Sequence, residues 1–247
     1  MSQINIVTSG FLVIGDEILS GRTADLNINF LAKNLTELGI ILKEVRVVGD
    51  IENEIIEAVS ILKNKYNYVF TSGGIGPTHD DITSLAIAKA FNQKLILNSQ
   101  AQEILHKFYG KENVNEARLK MAMVPELASL LDNPVSSAPG FFVENVFVLA
   151  GVPKIFQGMF NSCKAKLKSG NKIFSKEIVI NLTESIIAKD LTILQNEYPN
   201  ISIGSYPFEL GTSLVFRGIE PAIIDNAILK MTNNINKIKA NSIIEIK

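Results

Sequence analysis

A short apolar run, Tyr68-Val69-Phe70, leads into TSGGIGPTHDDIT at residues 71–83, and an apolar helical pattern through Leu85, Ala86 and Ala88 follows. A strand, a loop with three glycines and then a helix admits few folds, because it belongs at the carboxyl edge of an α/β sheet. It is also an anion site in outline. Glycines let backbone approach a phosphate closely, and amides at a helix start point towards it. The same loop carries Asp80 and Asp81, so carboxylates suited to a hydrated divalent metal lie beside amides suited to phosphate. A glycine-rich turn that needs left-handed backbone and nothing more is the alternative.

The rest of the first 168 residues extends that pattern. Residues 11–14 form an apolar run stopped by Gly15. Residues 25–38 put Ile28, Leu31, Leu35 and Leu38 on one helical face, with Gly39 as the stop. Residues 40–48 are rich in β-branched side chains and read as a strand, residues 51–63 as a helix and residues 68–71 as a strand. This βαβαβ order predicts a three-layer αβα domain with a mainly parallel sheet. Right-handed crossovers then gather the loops after the strands on one edge. Three acidic loops meet there: Gly15-Asp16-Glu17, Gly49-Asp50 and the glycine loop. Helices are expected at residues 100–109 and 112–123, paired strands at 141–143 and 146–149, and a helix start near Pro153.

The pattern changes at Lys168-Ser169-Gly170-Asn171. From residue 172 to 247 the reading is a small α+β domain. It has strands at 176–182, 201–207 and 212–218, helices at 184–198 and 220–239, and a last strand at 242–246. A net charge of −1 offers no broad basic face for nucleic acid. One cysteine excludes an internal disulfide, and two histidines are too few for a histidine cage. The first residues read as a strand and not a signal peptide, and no apolar run is long enough to span a bilayer, so a cytoplasmic protein with no membrane partner is expected.

GDEILSGRTADLNINFLAKNLTELGI at residues 15–40 and TSGGIGPTHDDIT resemble the competence/damage-inducible protein A (CinA) family. So do SAPGFFVEN at 137–145, LAGVPKIFQGM at 149–159 and IGSYPF at 203–208. The resemblance implies a molybdopterin-binding fold of the MoaB/Mog type for residues 1–168. It implies a nucleotide or pterin ligand and a dimer or higher homo-oligomer. Ser72, Gly73, Gly74 and Gly76 match the family's glycine loop, Asn27 a polar helix residue, and Gly151 and Pro153 the pocket rim. Asp50 and Asp81 fall where Mog-type proteins carry important aspartates, and Asp16 and Glu17 match the first acidic loop. Full-length CinA proteins add a domain that deamidates nicotinamide mononucleotide. The 247 residues end after the small domain, so that activity is not expected of them.

Within the family the first domain's chemistry is metal-dependent cleavage of the pyrophosphate in ADP-ribose-like nucleotides. On that reading the amides from Gly73 to Gly76 hold a phosphate. Asp16, Glu17 and Asp81 bind Mg²⁺ or a similar cation, and Asp50 and Asp81 serve catalysis. The competing roles are structural: Asp16, Asp50 and Asp81 as helix caps, Glu17 as a first-turn acid, and Asp80 and His79 as solvated loop residues. Arg22 and Lys154 are the basic candidates for phosphate. Two other functions remain open: a binding module without turnover, and a regulatory partner of a separate deamidase.

Overall fold

The computed structural model describes residues 5–247, and the chain divides into two compact units at Gly170 and Asn171. In the first unit β1 (Val7–Ile14) is followed by a one-turn helix, α1 (Asp16–Leu19), and by α2 (Asn27–Glu37). Then come β2 (Ile40–Val48), α3 (Glu52–Lys65), β3 (Tyr68–Ser72) and α4 (Thr83–Ala90). Next are β4 (Leu95–Leu97), α5 (Ser99–Tyr109), α6 (Glu116–Lys120), β5 (Met123–Pro125), β6 (Ser129–Leu131), β7 (Gly140–Val143), β8 (Val146–Leu149) and α7 (Pro153–Cys163).

The main sheet has the order β2-β1-β3-β8-β7-β6. The pairings β1–β2, β1–β3 and β3–β8 are parallel, while β7 runs antiparallel to both its neighbours. Strand alternation sends side chains to two cores. Phe11, Val13 and Phe70 face α2 and α7, where they meet Leu31, Leu35, Phe156 and Phe160. Leu12, Ile14 and Val69 face α3 and α4, where they meet Ile55, Leu62 and Ile87. Each such burial is worth roughly 1.5–3 kcal/mol. The sheet is therefore covered on both faces, as the continuous apolar strands foretell.

Topology then fixes where a ligand can sit. From β1 the chain crosses to β2 on one side, then returns past β1 to β3 on the other. The strand order reverses between β1 and β3, and a crevice opens at the carboxyl ends of strands at such a point.

One expected element differs. Residues 112–123 are not a single helix. Lys111–Asn113 make a 3-10 turn, and the Asn115 side chain then accepts from the Arg118 amide and starts α6 afresh. The chain next extends into β5, which pairs with β4. The strands β4, β5 and β6 have no counterpart in the sequence reading.

The second unit comprises β9 (Phe174–Ile180), α8 (Glu184–Glu197), β10 (Ser202–Phe208), β11 (Gly211–Gly218), α9 (Pro221–Ile238) and β12 (Ile243–Ile246). Its four strands form an antiparallel sheet of order β10-β11-β9-β12. Ile178, Leu214 and Phe216 from the strands pack with Ile187 and Leu194 from α8 and Ile224 and Met231 from α9.

Candidate functional site

The loops that leave β1, β2, β3 and β8 wall a cleft of about 530 Å³ at the switch point. Gly15 and Glu17 come from the first loop, Asp50 from the second, Gly73 to Thr78 with Asp80 and Asp81 from the third, and Ala150 to Pro153 from the fourth. Met121, Asn133, Ser136 and Ala138 close the far side. Three acidic loops thus converge on one edge, as strand–helix alternation predicts.

The glycine loop needs its glycines. Gly73 and Gly74 have φ of 107° and 66°, left-handed backbone that strains any side chain. A Cβ on Gly73 would collide with the Ile14 carbonyl, and one on Gly74 with the Thr83 hydroxyl. That hydroxyl donates to the Gly73 carbonyl at 3.0 Å, and the Thr83 amide donates to the Gly74 carbonyl at 2.9 Å, so the first residue of α4 pins the loop. The Gly73 amide donates to Leu149. The Gly76 amide donates to Asp81 Oδ1, and the Thr78 amide to Asp81 Oδ2, both at 2.7 Å. Among the described residues, the Gly74 and Ile75 amides alone are left unpaired between Gly73 and Gly76. The expected four-amide cradle narrows to two, because the other two amides already hold the loop together.

None of Asp16, Asp50 and Asp81 caps the helix that follows it through its side chain. Asp81 lies two residues ahead of α4 and spends its carboxylate on Gly76 and Thr78, including the Thr78 hydroxyl at 2.5 Å. Asp50 Oδ2 accepts from the Asp16 amide at 3.0 Å, and Asp16 Oδ1 accepts from the Asp50 amide at 3.4 Å, which ties the loops after β1 and β2 together. Burial, reinforced by the charges of Asp16, Glu17 and Asp80, holds the Asp50 carboxyl above its ordinary range, against the hydrogen bond from Asp16. The single proton of the Thr78 hydroxyl is shared between Asp81 and Asp80, and it holds the Asp80 carboxyl below its ordinary range, helped by the charges of His79 and Lys120. Among the described residues no three His, Cys, Asp or Glu side chains form a ready cation cage.

Asn27, the first residue of α2, is buried and bridges two of the loops. Its Nδ2 donates to Ser72 Oγ and to the Gly151 carbonyl, both at 2.8 Å. Its Oδ1 is buried without a partner among the described residues. Gly151 packs so close to Gly73 that a Cβ there would lie 3.2 Å from the Gly73 Cα. Gly151 and Pro153 line the cleft, while Asn27 and Ser72 stand behind its wall.

The sequence reading missed Thr78, Thr83, Asn133 and Lys120. The Asn133 side chain holds the 133–138 loop, donating to Ser136 Oγ and the Ala138 carbonyl and accepting from the amides of Val135 and Ser136. The Lys120 ammonium donates to the Thr78 carbonyl across 42 residues of sequence, a separation with no local signal. The basic candidates Arg22 and Lys154 are exposed and outside the cleft wall, and His79 is almost wholly exposed.

Residues 10–168 match a family described as a probable molybdopterin binding domain, and residues 172–243 match the middle domain of FAD synthase. The chain belongs to the molybdopterin-binding domain family. A relative from Archaeoglobus fulgidus is 34% identical over 224 residues, which cover 90% of this chain and 96% of that protein. A probable FAD synthase of Caenorhabditis elegans is 34% identical over 226 residues, covering 81% of this chain and 44% of its own length. The chain thus spans less than half of the nematode protein. Among solved structures, the protein CinA of unknown function from Thermoplasma acidophilum is similar with a TM-score of 0.61 and 33% identity. That match covers 64% of this chain and 98% of the archaeal one. The CinA resemblance carried by the motifs is borne out in this family membership. No described helix is long and apolar enough to cross a membrane.

Proposed function

We propose that the cleft of this molybdopterin-binding domain takes a small phosphorylated nucleotide or pterin. We propose further that, with a divalent cation, it cleaves the pyrophosphate of an ADP-ribose-like nucleotide. The observation that carries the reading is the juxtaposition at one sheet edge of two unpaired loop amides, Gly74 and Ile75, with Glu17, Asp50, Asp80 and Asp81. Amides suit phosphate oxygens, while carboxylates repel them unless a cation intervenes. The donor set fits a hard cation held by one or two carboxylates together with phosphate oxygens, which is how Mg²⁺ is commonly bound and which needs no three-ligand cage. Glu17, which lines the cleft, is the candidate ligand, with Asp16 next to it outside the lining, and Asp81 orders the loop beside them. When bound, such a cation neutralises phosphate charge. Asp50, with its raised pKa, is the candidate base. It would take a proton from the water that attacks one phosphorus as the bridging P–O bond breaks, so that ADP-ribose and water give AMP and ribose 5-phosphate.

One observation favours a second reading, a binding module without turnover. The Asp81 carboxylate is already committed to the amides of Gly76 and Thr78 and shares the Thr78 hydroxyl with Asp80. The decisive measurement is AMP release from ADP-ribose with and without Mg²⁺, beside thermal-shift binding of ADP-ribose, FAD, AMP and molybdopterin precursors. Cation-dependent release supports the hydrolase. Binding without release supports the module, and no binding by any probe refutes both.

A further inference from the structure

The cleft holds a charge imbalance. Its lining includes Glu17, Asp50, Asp80 and Asp81 but no Lys, Arg or His among the described residues. A phosphorylated ligand would meet four acids with two free amides as its only fixed donors in the glycine loop. One cation is tied to this loop from outside the lining. Lys120, at the end of α6 and beside the cleft-lining Met121, is half-buried, and its ammonium donates to the carbonyl of Thr78, itself a lining residue. The other cation of that helix is engaged elsewhere: Arg118 lies 4.2 Å over the Tyr109 ring and donates to the Asn113 carbonyl. An ammonium has three donors, and the Thr78 carbonyl takes one. No second acceptor takes a hydrogen bond from Lys120 among the described residues, and its charge acts at longer range on Asp80. The charge is therefore fixed at the loop with donors to spare, and it need not leave its present contact to meet an anion.

We propose that Lys120 is the side-chain cation that recognises the ligand's phosphate in this cleft, and so a specificity-determining residue. The inference rests on the reading that the cleft takes a phosphorylated ligand. It also gives α6 and the small β4–β5 sheet a role: they carry a positive charge to an otherwise acidic wall.

The test uses the full chain, with ADP-ribose as the probe at a fixed Mg²⁺ concentration. Affinity is measured by calorimetry for the parent, Lys120→Met and Lys120→Arg, and melting temperatures of the three are taken without ligand. A charge-assisted hydrogen bond predicts that Lys120→Met loses about tenfold or more in affinity. Lys120→Arg should stay within about threefold, since the charge and donors survive. The gap between parent and Lys120→Met should narrow as salt rises, because screening weakens a charge contact and leaves a packing defect untouched. If Lys120→Met binds as tightly as the parent, the assignment falls while the reading of the cleft stands. If Lys120→Arg loses as much as Lys120→Met, with a gap indifferent to salt, the lysine only braces the loop and the assignment also falls. A parent that does not bind ADP-ribose overturns both together.

Discussion

Asp81 shows how one side chain can look like a cap or a ligand and serve as a scaffold. Its two oxygens accept from Gly76, from the Thr78 amide and from the Thr78 hydroxyl. An asparagine there has a single acceptor oxygen and turns an NH₂ towards a donor. Asp81→Asn is therefore expected to cost about 1–3 kcal/mol for the stranded donor. At roughly 2–4 °C per kcal/mol for a chain of this size, the melting temperature should fall visibly. An unchanged melting temperature would rule out the scaffold role and leave Asp81 to the ligand or catalytic role that the family resemblance implies. Glu44 offers a pH test at the same scale. Lys65 first, then Tyr66 and Arg46, each at 2.7 Å, hold its carboxyl down to about 2 from an ordinary 4.5. Because the folded value is depressed, the contacts stabilise the fold fully above pH 4.5 and are lost as pH falls towards about 2. Glu44→Gln should melt earlier than the parent at neutral pH, and the two melting curves should converge in acid. A gap that stays constant down to pH 2 would rule the ion contacts out.

At the scale of elements, legibility followed periodicity. The helices α2 and α3 and the strands β1 to β3 were readable because each repeats its apolar residues over enough turns or alternations to define a face. The strands β4, β5 and β6 have three residues apiece, too few to alternate, and α6 is set off by one asparagine cap inside what reads as a longer helix. The site divides in the same way. Glycines that need left-handed backbone and acids that follow strands are local signals, so Gly73, Gly74, Asp50 and Asp81 stood out. What each acid bonds to is a long-range matter: the Asp16–Asp50 tie and the Lys120–Thr78 bond join residues 34 and 42 positions apart. The Cys163 thiol tests α7 as an element. It is fully buried against the sheet beside Phe156 and Phe160, and burial pushes its pKa up to about 12. The thiolate is the reactive form, so iodoacetamide at pH 8 should leave Cys163 unmodified in the native protein and label it in denaturant. Native labelling at the denatured rate would mean that α7 is not docked as described.

At the scale of the whole molecule, each unit has its own hydrophobic packing. Two cores cover the six-stranded sheet, one on each face, and a third lies between the four-stranded sheet and α8 and α9. Every residue of the proposed ligand cleft lies between Ile14 and Ile155, within the first unit. A ligand that binds the native form of one unit stabilises that unit by mass action, about 2.7 kcal/mol at 100 times its dissociation constant. Scanning calorimetry of the full chain should therefore resolve two transitions. Saturating ADP-ribose with Mg²⁺ should raise the first unit's transition by roughly 5–11 °C, at about 2–4 °C per kcal/mol. The transition of residues 171–247 should stay where it is, identified by comparison with that segment expressed alone. If both transitions rose together, or a single transition moved as one, the two units would be unfolding cooperatively and the ligand's effect would no longer be local. If only the second transition rose, binding would have to be reassigned to the small unit, whose own cleft of about 570 Å³ runs between the start of α8 and the β10–β11 hairpin.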